Sequence, residues 1–281
     1  MLKHVELDRT LKLEQQFADT SIQPTILVNV FDVDPKDRAA FKLAWAEDAA
    51  FFKRQPGYIS AQLHQGIQGS SMFLNYAVFE GTKSFAGTTH QPSFEPLRRI
   101  YPDGSTAHPH LFRRLAVPGI CTGDEEWSPN GQNPSTSTHG LTMADLDPST
   151  PITAQLPDST HKKPTIQITV YDVDPSDRDA FVTSWQKQAA GLMNRPGCLS
   201  QQLHTGLLGS RLFMSYTIWE QTSALADALA AIDTAAVNAH YPDSVTARSH
   251  LFRRLHIPGI CVGEADGREK LAVSSRMMPA G

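Results

Sequence analysis

The sequence predicts an α+β protein made of two tandem domains, each with the element order βαββαβ. The first observation is an internal repeat: residues 24–123 align without a gap on residues 164–263, with about 45 of 100 positions identical. The second is the hydrophobic pattern, which switches between strand and helix periodicity in that order within each copy. Two copies 140 residues apart indicate two domains, each large enough to bury its own core.

In the first copy, residues 25–31 (TILVNVF) alternate in polarity and predict the first strand. Asp34 as an N-cap and Pro35 at the first helical position predict a helix, which Pro56-Gly57 ends. Its apolar stripe repeats every three or four residues and consists of Phe41, Trp45, Ala49 and Phe52.

Residues 56–66 and 71–80 predict strands two and three, joined as a hairpin by the turn GIQG. A weakly helical segment follows, interrupted by Pro92 and Pro96, and residues 105–119 supply the last strand. This order is the split, ferredoxin-like arrangement, in which helices cover one face of a four-stranded sheet.

The same pattern divides the whole chain into five parts. An N-terminal extension (1–23) with a charged, helix-forming stretch precedes the first domain (24–123), and a linker rich in Pro, Ser and Thr (124–163) precedes the second (164–263). Residues 264–281 are expected to be a C-terminal tail.

Composition excludes several classes of protein. The chain is 40% apolar and 19% charged with a formal charge of −4, which argues against binding to nucleic acid or to an anionic membrane. No apolar run is long enough for a membrane span or a signal peptide, so we expect a cytoplasmic protein. Three cysteines argue against a disulfide framework, and no nucleotide, zinc or thiol-redox motif is present.

One face of each predicted sheet is apolar and has to be covered. We expect the apolar faces of the two domains to pack against each other as a pseudo-dimer within one chain. In the first copy this face is expected to carry Ile26, Val28, Val30, Ile59, Ala61, Leu63, Met72, Leu74, Tyr76 and Val78.

The opposite face should then lie under the helices, yet it is rich in polar groups. Burying them without partners would cost roughly 1–3 kcal/mol each, so we expect a ligand pocket between sheet and helices. The residues assigned to this face are Asn29, Phe31, Tyr58, Ser60, Gln62, His64, Phe73, Asn75 and Phe79.

The βαββαβ unit, the Pro-Gly before strand two and the segment YTIWEQTSALADAL (216–229) resemble the antibiotic biosynthesis monooxygenase family, with its dimeric α+β barrel. The tandem pattern DVDP…F…W…PG…S.QLH.G is similar to the oxygenases that open the B ring of angucyclines on the way to jadomycin, gilvocarcin and kinamycin compounds.

This resemblance implies C–C cleavage of an aromatic polyketide by O2, without a tightly bound metal or cofactor. The electrons would come from the substrate hydroquinone or from reduced flavin (FADH2 or FMNH2), which a partner flavin reductase would supply. Some relatives place a strand-one Asn, a strand-three Trp and a helix-two His around the substrate. The matching positions here are Asn29, Phe79 and His90 in the first copy, and Thr169, Trp219 and Ala230 in the second.

His64 and His204 are the first candidates for a catalytic base that removes a phenolic proton, and His90 is a third. No metal ligands are assigned. The candidate substrate-binding residues are Asn29, Tyr58, Ser60, Gln62, Asn75, Phe79, Trp45, Trp185, Ser200, Gln202 and Trp219.

The residues alone leave three functions open. The first is an oxygenase, the second a polyketide cyclase or dehydratase that uses the same histidine without O2, and the third a non-catalytic polyketide-binding protein. Which copy holds the working pocket and whether two chains form a homodimer also stay open.

Overall fold

A computed structural model describes residues 2–128, 139–157 and 163–264, and within them eight long strands close into one barrel with the long helices outside. The predicted tail lies outside the described residues except for Glu264, as do parts of the predicted linker. The fold is α+β, with the predicted βαββαβ order in both copies.

The first half contains strands β1 (Lys3–His4), β2 (Thr25–Val33), β3 (Tyr58–Gly66), β4 (Met72–Phe79), β5 (Ser105–Ala116) and β6 (Glu125–Glu126). Its helices are α1 (Leu13–Gln16), α2 (Arg38–Lys53) and α3 (Thr82–Thr89), with 3-10 turns at Pro35–Asp37 and Glu95–Arg99.

The second half contains strands β7 (Thr142–Asp145), β8 (Thr165–Asp172), β9 (Cys198–Gly206), β10 (Leu212–Trp219) and β11 (Thr246–Arg254). Its helices are α4 (Ile152–Gln155), α5 (Arg178–Met193), α6 (Thr222–Ala230) and α7 (Thr234–Asn238), with a 3-10 turn at Pro175–Asp177.

The barrel forms because the two four-stranded sheets join at both edges. The first domain has the order β5-β2-β4-β3 and the second β11-β8-β10-β9, and antiparallel pairing of β3 with β11 and of β5 with β9 closes the ring. The apolar faces of the two domains therefore meet inside one barrel, which confirms the predicted pseudo-dimeric packing. The buried interior residues are Ile26, Val28, Val30, Met72, Leu74, Phe112, Ile166, Ile168, Val170, Leu212, Met214 and Phe252.

Helix α2 starts and packs as its sequence predicts. Asp34 caps the preceding 3-10 turn by accepting a hydrogen bond from the backbone N–H of Lys36 (3.1 Å). The apolar stripe of α2 is buried against the outer face of the sheet, and Trp45 and Phe52 belong to the same core as the sheet residues.

The predicted faces of β3 are wrong by one residue. Gln62 and His64 lie opposite Tyr76 and Leu74 and point toward the barrel interior, and Ser60 lies on the same face but is exposed. Ala61 and Leu63 belong to the core beneath the helices. The strand ends at a domain junction, where polar side chains find partners across the seam, so polarity alone does not mark its outer face.

Tyr58 lies on the predicted face because the register of β3 shifts next to it. The pairing with β4 shifts between Tyr58 and Ser60, so Tyr58 lies opposite Phe79 on the helix side. In the second copy the predicted face is wrong in the same way, because Ser200, Gln202 and His204 pair with Ile218, Tyr216 and Met214.

Two segments outside the predicted domains are also related to each other. We call residues 2–19 the N-terminal strap and residues 141–157 the linker strap. Each contains a short strand that pairs parallel with the last strand of the domain that follows it. Asp8 and Gln16 correspond to Asp147 and Gln155 at an offset of 139 residues. The linker thus contains structured elements where an extended segment is expected from sequence. The duplication is hidden here because the offset between the copies is 139 residues in the straps and 140 in the domains.

None of the helices within the described ranges is both long enough and apolar enough to cross a membrane.

Candidate active site

A cavity of about 200 Å³ lies in the first domain between the sheet and its helices. Strands β2, β3 and β4 form its floor, α2 and α3 form its sides, and the N-terminal strap covers part of it. Its walls are dominated by aromatic rings: Phe17, Phe31, Trp45, Phe52, Tyr58, Phe79, Phe85, Phe94 and Tyr101. Such walls suit a flat, mostly apolar ligand.

Two asparagines supply polar groups on the floor of this cavity. Asn29 on β2 and Asn75 on β4 are direct cross-strand neighbours, so their side chains lie on the same face of the sheet. The side-chain oxygen Oδ1 of each is buried without a hydrogen-bond partner. Unpaired buried acceptors are rare in folded proteins, and their presence in a cavity indicates a donor that is supplied from outside.

Asp48 on α2 adds a third unpaired acceptor to the same cavity. The Tyr101 hydroxyl donates to its Oδ2 (2.8 Å), and its Oδ1 has no partner. Desolvation among the aromatic side chains raises the pKa of Asp48 to about 7, and the hydrogen bond from Tyr101 opposes this shift only in part. A carboxyl with a pKa near 7 can exchange a proton with a ligand near neutral pH.

The N-terminal strap brings Phe17 to the edge of the cavity. Its ring packs edge-on against Phe85 (5.8 Å between centroids) and against His90 (5.5 Å). His90 itself is exposed and lines the same cavity. The structure therefore places this candidate at the rim and not among the buried polar groups.

In the second domain, two of the positions that match the cavity floor carry larger side chains. Gln201 stands where the first copy has Ala61, is buried, and donates to the Ala189 carbonyl oxygen on α5 (2.9 Å). Trp219 replaces Phe79, is fully buried, and donates from Nε1 to Gln167 Oε1 (3.3 Å).

The polar groups of the second copy are also changed and satisfied. Thr169 replaces Asn29, and its hydroxyl bonds with that of Ser249 (2.7 Å). Gln188 replaces Asp48 and accepts from the Tyr241 hydroxyl, so the titratable carboxyl becomes a neutral amide. The combination of open space, unpaired oxygens and a raised pKa thus belongs to the first domain.

His64 and His204 lie away from this cavity, in the barrel. His64 Nδ1 donates to the Leu74 carbonyl oxygen (3.1 Å), which leaves Nε2 to accept from the Tyr216 hydroxyl (2.8 Å). His204 makes the matching contacts with the Met214 carbonyl and Tyr76. Burial lowers the pKa of His64 to about 3 and that of His204 to about 4, so both rings are neutral and fully hydrogen-bonded.

The polar residues beside these histidines also serve the domain junction. Gln62 donates to the Leu255 carbonyl oxygen (2.8 Å) and Gln202 to that of Leu115 (3.0 Å), so each side chain ties its strand to the other domain. Ser60 and Ser200 are exposed. Gln62, His64, Gln202 and His204 line a separate, open groove between the domains, so the structure does not bring them together with Asn29 and Asn75.

The other predicted residues divide between the two domains. Asn29, Trp45, Tyr58, Asn75, Phe79 and His90 all line the cavity of the first domain. Trp185 and Trp219 are buried in the hydrophobic cores of the second domain.

Asp48, Tyr101 and Phe17 were not among the residues predicted from sequence. The available signal for Asp48 was a carboxylate within the apolar stripe of α2, between Trp45 and Phe52, where a charged residue requires a reason. No comparable signal marks Tyr101 or Phe17, because both reach the cavity from segments distant in the chain. Among the described residues, no group of three or more His, Cys, Asp or Glu side chains could hold a metal ion.

Comparison with known proteins agrees with this fold. A solved structure of an anthrone oxidase-like protein is 16% identical, has a TM-score of 0.56, and aligns over 89% of this chain and 98% of its own; at this identity the likeness shows the fold alone. SnoaB, a cofactor-independent oxygenase from Streptomyces nogalater, is 28% identical over 34% of this chain and 98% of its own, with a TM-score of 0.32. No protein of curated function matches the sequence.

The profile of one protein family matches each copy of the repeat. The antibiotic biosynthesis monooxygenase profile aligns with residues 24–96 and again with residues 164–237, together more than half of the chain. The chain therefore belongs to the antibiotic biosynthesis monooxygenase family and contains two copies of its domain.

Proposed function

We propose that the protein is an oxygenase that uses O2 to open a ring of a polycyclic aromatic polyketide, with the cavity of the first domain as its active site. The observation that carries this proposal is the set of three unpaired oxygens, on Asn29, Asp48 and Asn75, within aromatic walls. Family membership supports the reaction class, and the choice of an angucycline-type hydroquinone rests on the resemblance of the tandem sequence motif.

The polar groups suit a substrate with several hydroxyl donors. A polyphenol presents O–H groups at the edge of a flat ring system, so it can satisfy acceptors on the cavity floor while its faces pack against aromatic side chains. A ligand without hydroxyl donors would leave these acceptors desolvated and unpaired, at roughly 1–3 kcal/mol each. The site therefore favours a hydroquinone over the corresponding quinone.

Asp48 is the residue that we assign as the base. Its carboxylate takes a phenolic proton, and the resulting phenolate passes electrons to O2 more readily than the neutral phenol. When the hydroquinone supplies both electrons and two hydrogens, one oxygen atom enters the product and the other leaves as water. The desolvated cavity keeps the reactive intermediate away from bulk water, and C–C cleavage then opens the oxygenated ring.

Reduced flavin is the alternative source of the two electrons. Apart from histidines, Arg98 is the one basic side chain among the described lining residues, and it already lies 3.7 Å from the Glu95 carboxylate. The lining thus offers little to hold the phosphate of a resident flavin, so we propose a diffusible co-substrate supplied by a flavin reductase.

The test is oxygen uptake from ¹⁸O2 with an anaerobically reduced angucyclinone, with and without reduced flavin, and with products read by mass spectrometry. We expect uptake above the uncatalysed rate, one ¹⁸O atom in the product, and loss of both in Asp48→Asn. The matched control is Gln188→Asn at the equivalent position of the second domain, which should react like the wild type.

Other outcomes would select the alternatives. Loss of water from a polyketide substrate without oxygen uptake would identify a cyclase or dehydratase, and tight binding with neither change would identify a non-catalytic binding protein. Equal loss of uptake in Asp48→Asn and Gln188→Asn would contradict the assignment of the first domain as the active half.

A further inference from the structure

The N-terminal strap is held in place by a residue of the other domain. Gln16 Oε1 accepts from the backbone N–H of Leu111 (2.8 Å), which orients its amide so that Nε2 donates to His110 Nδ1 (2.9 Å). His110 Nε2 therefore carries the proton that it donates to the hydroxyl of Ser210 (2.9 Å), and Ser210 donates to Asp8 Oδ2 (2.6 Å). All four side chains of this chain of hydrogen bonds are buried.

This chain of hydrogen bonds fixes the part of the strap that reaches the cavity. Asp8 and Gln16 lie at the two ends of the bend that contains α1, and Phe17 follows Gln16 directly. Leu13 and Phe17 from this bend line the cavity of the first domain. Ser210 lies in the turn between β9 and β10, so the second domain holds a wall of the cavity in the first.

The linker strap provides an internal comparison. Gln155 contacts His250 Nδ1 (2.8 Å) and the Leu251 N–H, and Ser70 in the first domain donates to Asp147 Oδ2 (2.8 Å). The residue that matches Phe17 is Leu156, which packs with Trp219 and Leu225 in a hydrophobic core. His250 Nε2 has no partner among the described residues, so the linker strap keeps the Gln–His and Ser–Asp contacts but lacks the His–Ser link. The N-terminal strap thus borders the first-domain cavity, and the linker strap borders a hydrophobic core.

We propose that Ser210 is a positioning residue for the active site of the first domain, acting by holding the N-terminal strap so that Phe17 contacts the aromatic substrate. This inference rests on the proposed function, because it takes the cavity as the substrate site. It assigns the second domain a part in substrate binding although its own candidate residue Trp219 is fully buried. Phe17 becomes a residue that determines which ring systems fit, since it closes the cavity beside Phe85 and His90.

The test compares Ser210→Ala with Ser70→Ala. Both hydroxyls donate to a strap aspartate and accept from the backbone N–H two residues later, at 3.0 Å from Leu212 and 3.1 Å from Met72. Ser210 also accepts from His110 Nε2, whereas His250 Nε2 has no partner in the described part of the chain, so Ser210→Ala should lower the melting temperature somewhat more than Ser70→Ala. Binding is therefore compared at a temperature where both variants are folded. The probe is alizarin, a hydroxyanthraquinone that does not consume O2, and its binding is measured by quenching of tryptophan fluorescence.

We expect Ser210→Ala to weaken alizarin binding about tenfold and Ser70→Ala to leave it within about twofold of the wild type. In a Phe17→Ala background, Ser210→Ala should have little further effect, because both act through the same contact. A purely structural role for Ser210 would give equal effects of the two serine substitutions, or additive effects with Phe17→Ala, and either result would overturn the proposal.

The two proposals fail in different ways. If Ser210→Ala weakens alizarin binding but no oxygen uptake is found with any reduced substrate, the positioning role stands and the oxygenase function falls. If wild-type protein does not bind alizarin, the assignment of the cavity fails and the positioning role falls with it.

Discussion

Replacing Asp48 with asparagine removes a carboxyl that the fold keeps at a raised pKa, and the effect on stability can be worked out. The pKa rises from 3.8 to about 7, and one pKa unit corresponds to about 1.4 kcal/mol. Ionising Asp48 in the folded protein therefore costs up to about 4 kcal/mol relative to the unfolded chain. Water that enters the cavity screens the charge on Asp48, which lowers the expected figure to about 2 kcal/mol.

The sign follows from proton binding. Between about pH 4 and pH 7 the unfolded chain has lost the Asp48 proton and the folded chain still holds it. The free energy of unfolding therefore falls as the pH rises through this window. Asparagine keeps a similar shape and has no proton to lose, so Asp48→Asn should be more stable than the wild type at pH 8 by about 2 kcal/mol, and about equal near pH 4.

Urea unfolding at several values between pH 4 and pH 8 measures this difference directly. The matched control is Gln188→Asn, whose stability curve should run parallel to that of the wild type because neither side chain titrates. Parallel curves for Asp48→Asn and the wild type would refute the reasoning, since they would mean that Asp48 ionises in the fold as it does in water.

Three further predictions concern the cavity, His64 in the barrel, and Gly206, which is tightly packed against neighbouring side chains. Ala61→Gln should abolish alizarin binding by filling the cavity with the side chain of the second copy, and Gln201→Ala should leave binding in the first domain unchanged; retained binding in Ala61→Gln would place the ligand elsewhere. His64→Ala should lower the free energy of unfolding by about 2–4 kcal/mol, since it opens a cavity and leaves the Tyr216 O–H without its acceptor, although Arg254 still donates to that oxygen. The variant should keep kcat/KM unchanged at a temperature where it is folded; a selective loss of kcat would restore His64 as a catalytic residue. A Cβ at Gly206 would lie 2.6 Å from the Ser210 hydroxyl and 2.8 Å from His110 Nε2, so Gly206→Ala should be destabilising by about 1–3 kcal/mol in thermal unfolding. At Gly87 no atom lies within 4 Å of the added Cβ, so Gly87→Ala should be neutral or stabilising by up to about 1 kcal/mol, and equal melting shifts for the two would contradict this.

The site was predicted from sequence only in part, and β3 shows why. The alternation of β3 was visible, but its two faces were interchanged, because polar residues such as Gln62 find partners across the domain junction while the helix-covered face carries Ala61. A strand pattern has a period of two and states nothing about which face meets which layer. The faces of β2 and β4 were assigned correctly, and their predicted residues Asn29, Asn75 and Phe79 do line the cavity.

The sequence by itself determined the duplication, the βαββαβ order of each copy and the apolar interior of the barrel. These follow from local signals: a repeat at a fixed offset, the periods of strands and helices, and caps such as Asp34. Only the tertiary structure decided which copy keeps an open cavity, because that depends on side-chain volumes contributed by elements distant in the chain, such as Ala61 against Gln201. It also decided the proton affinity of Asp48, since desolvation is a property of the folded surroundings and not of the residue.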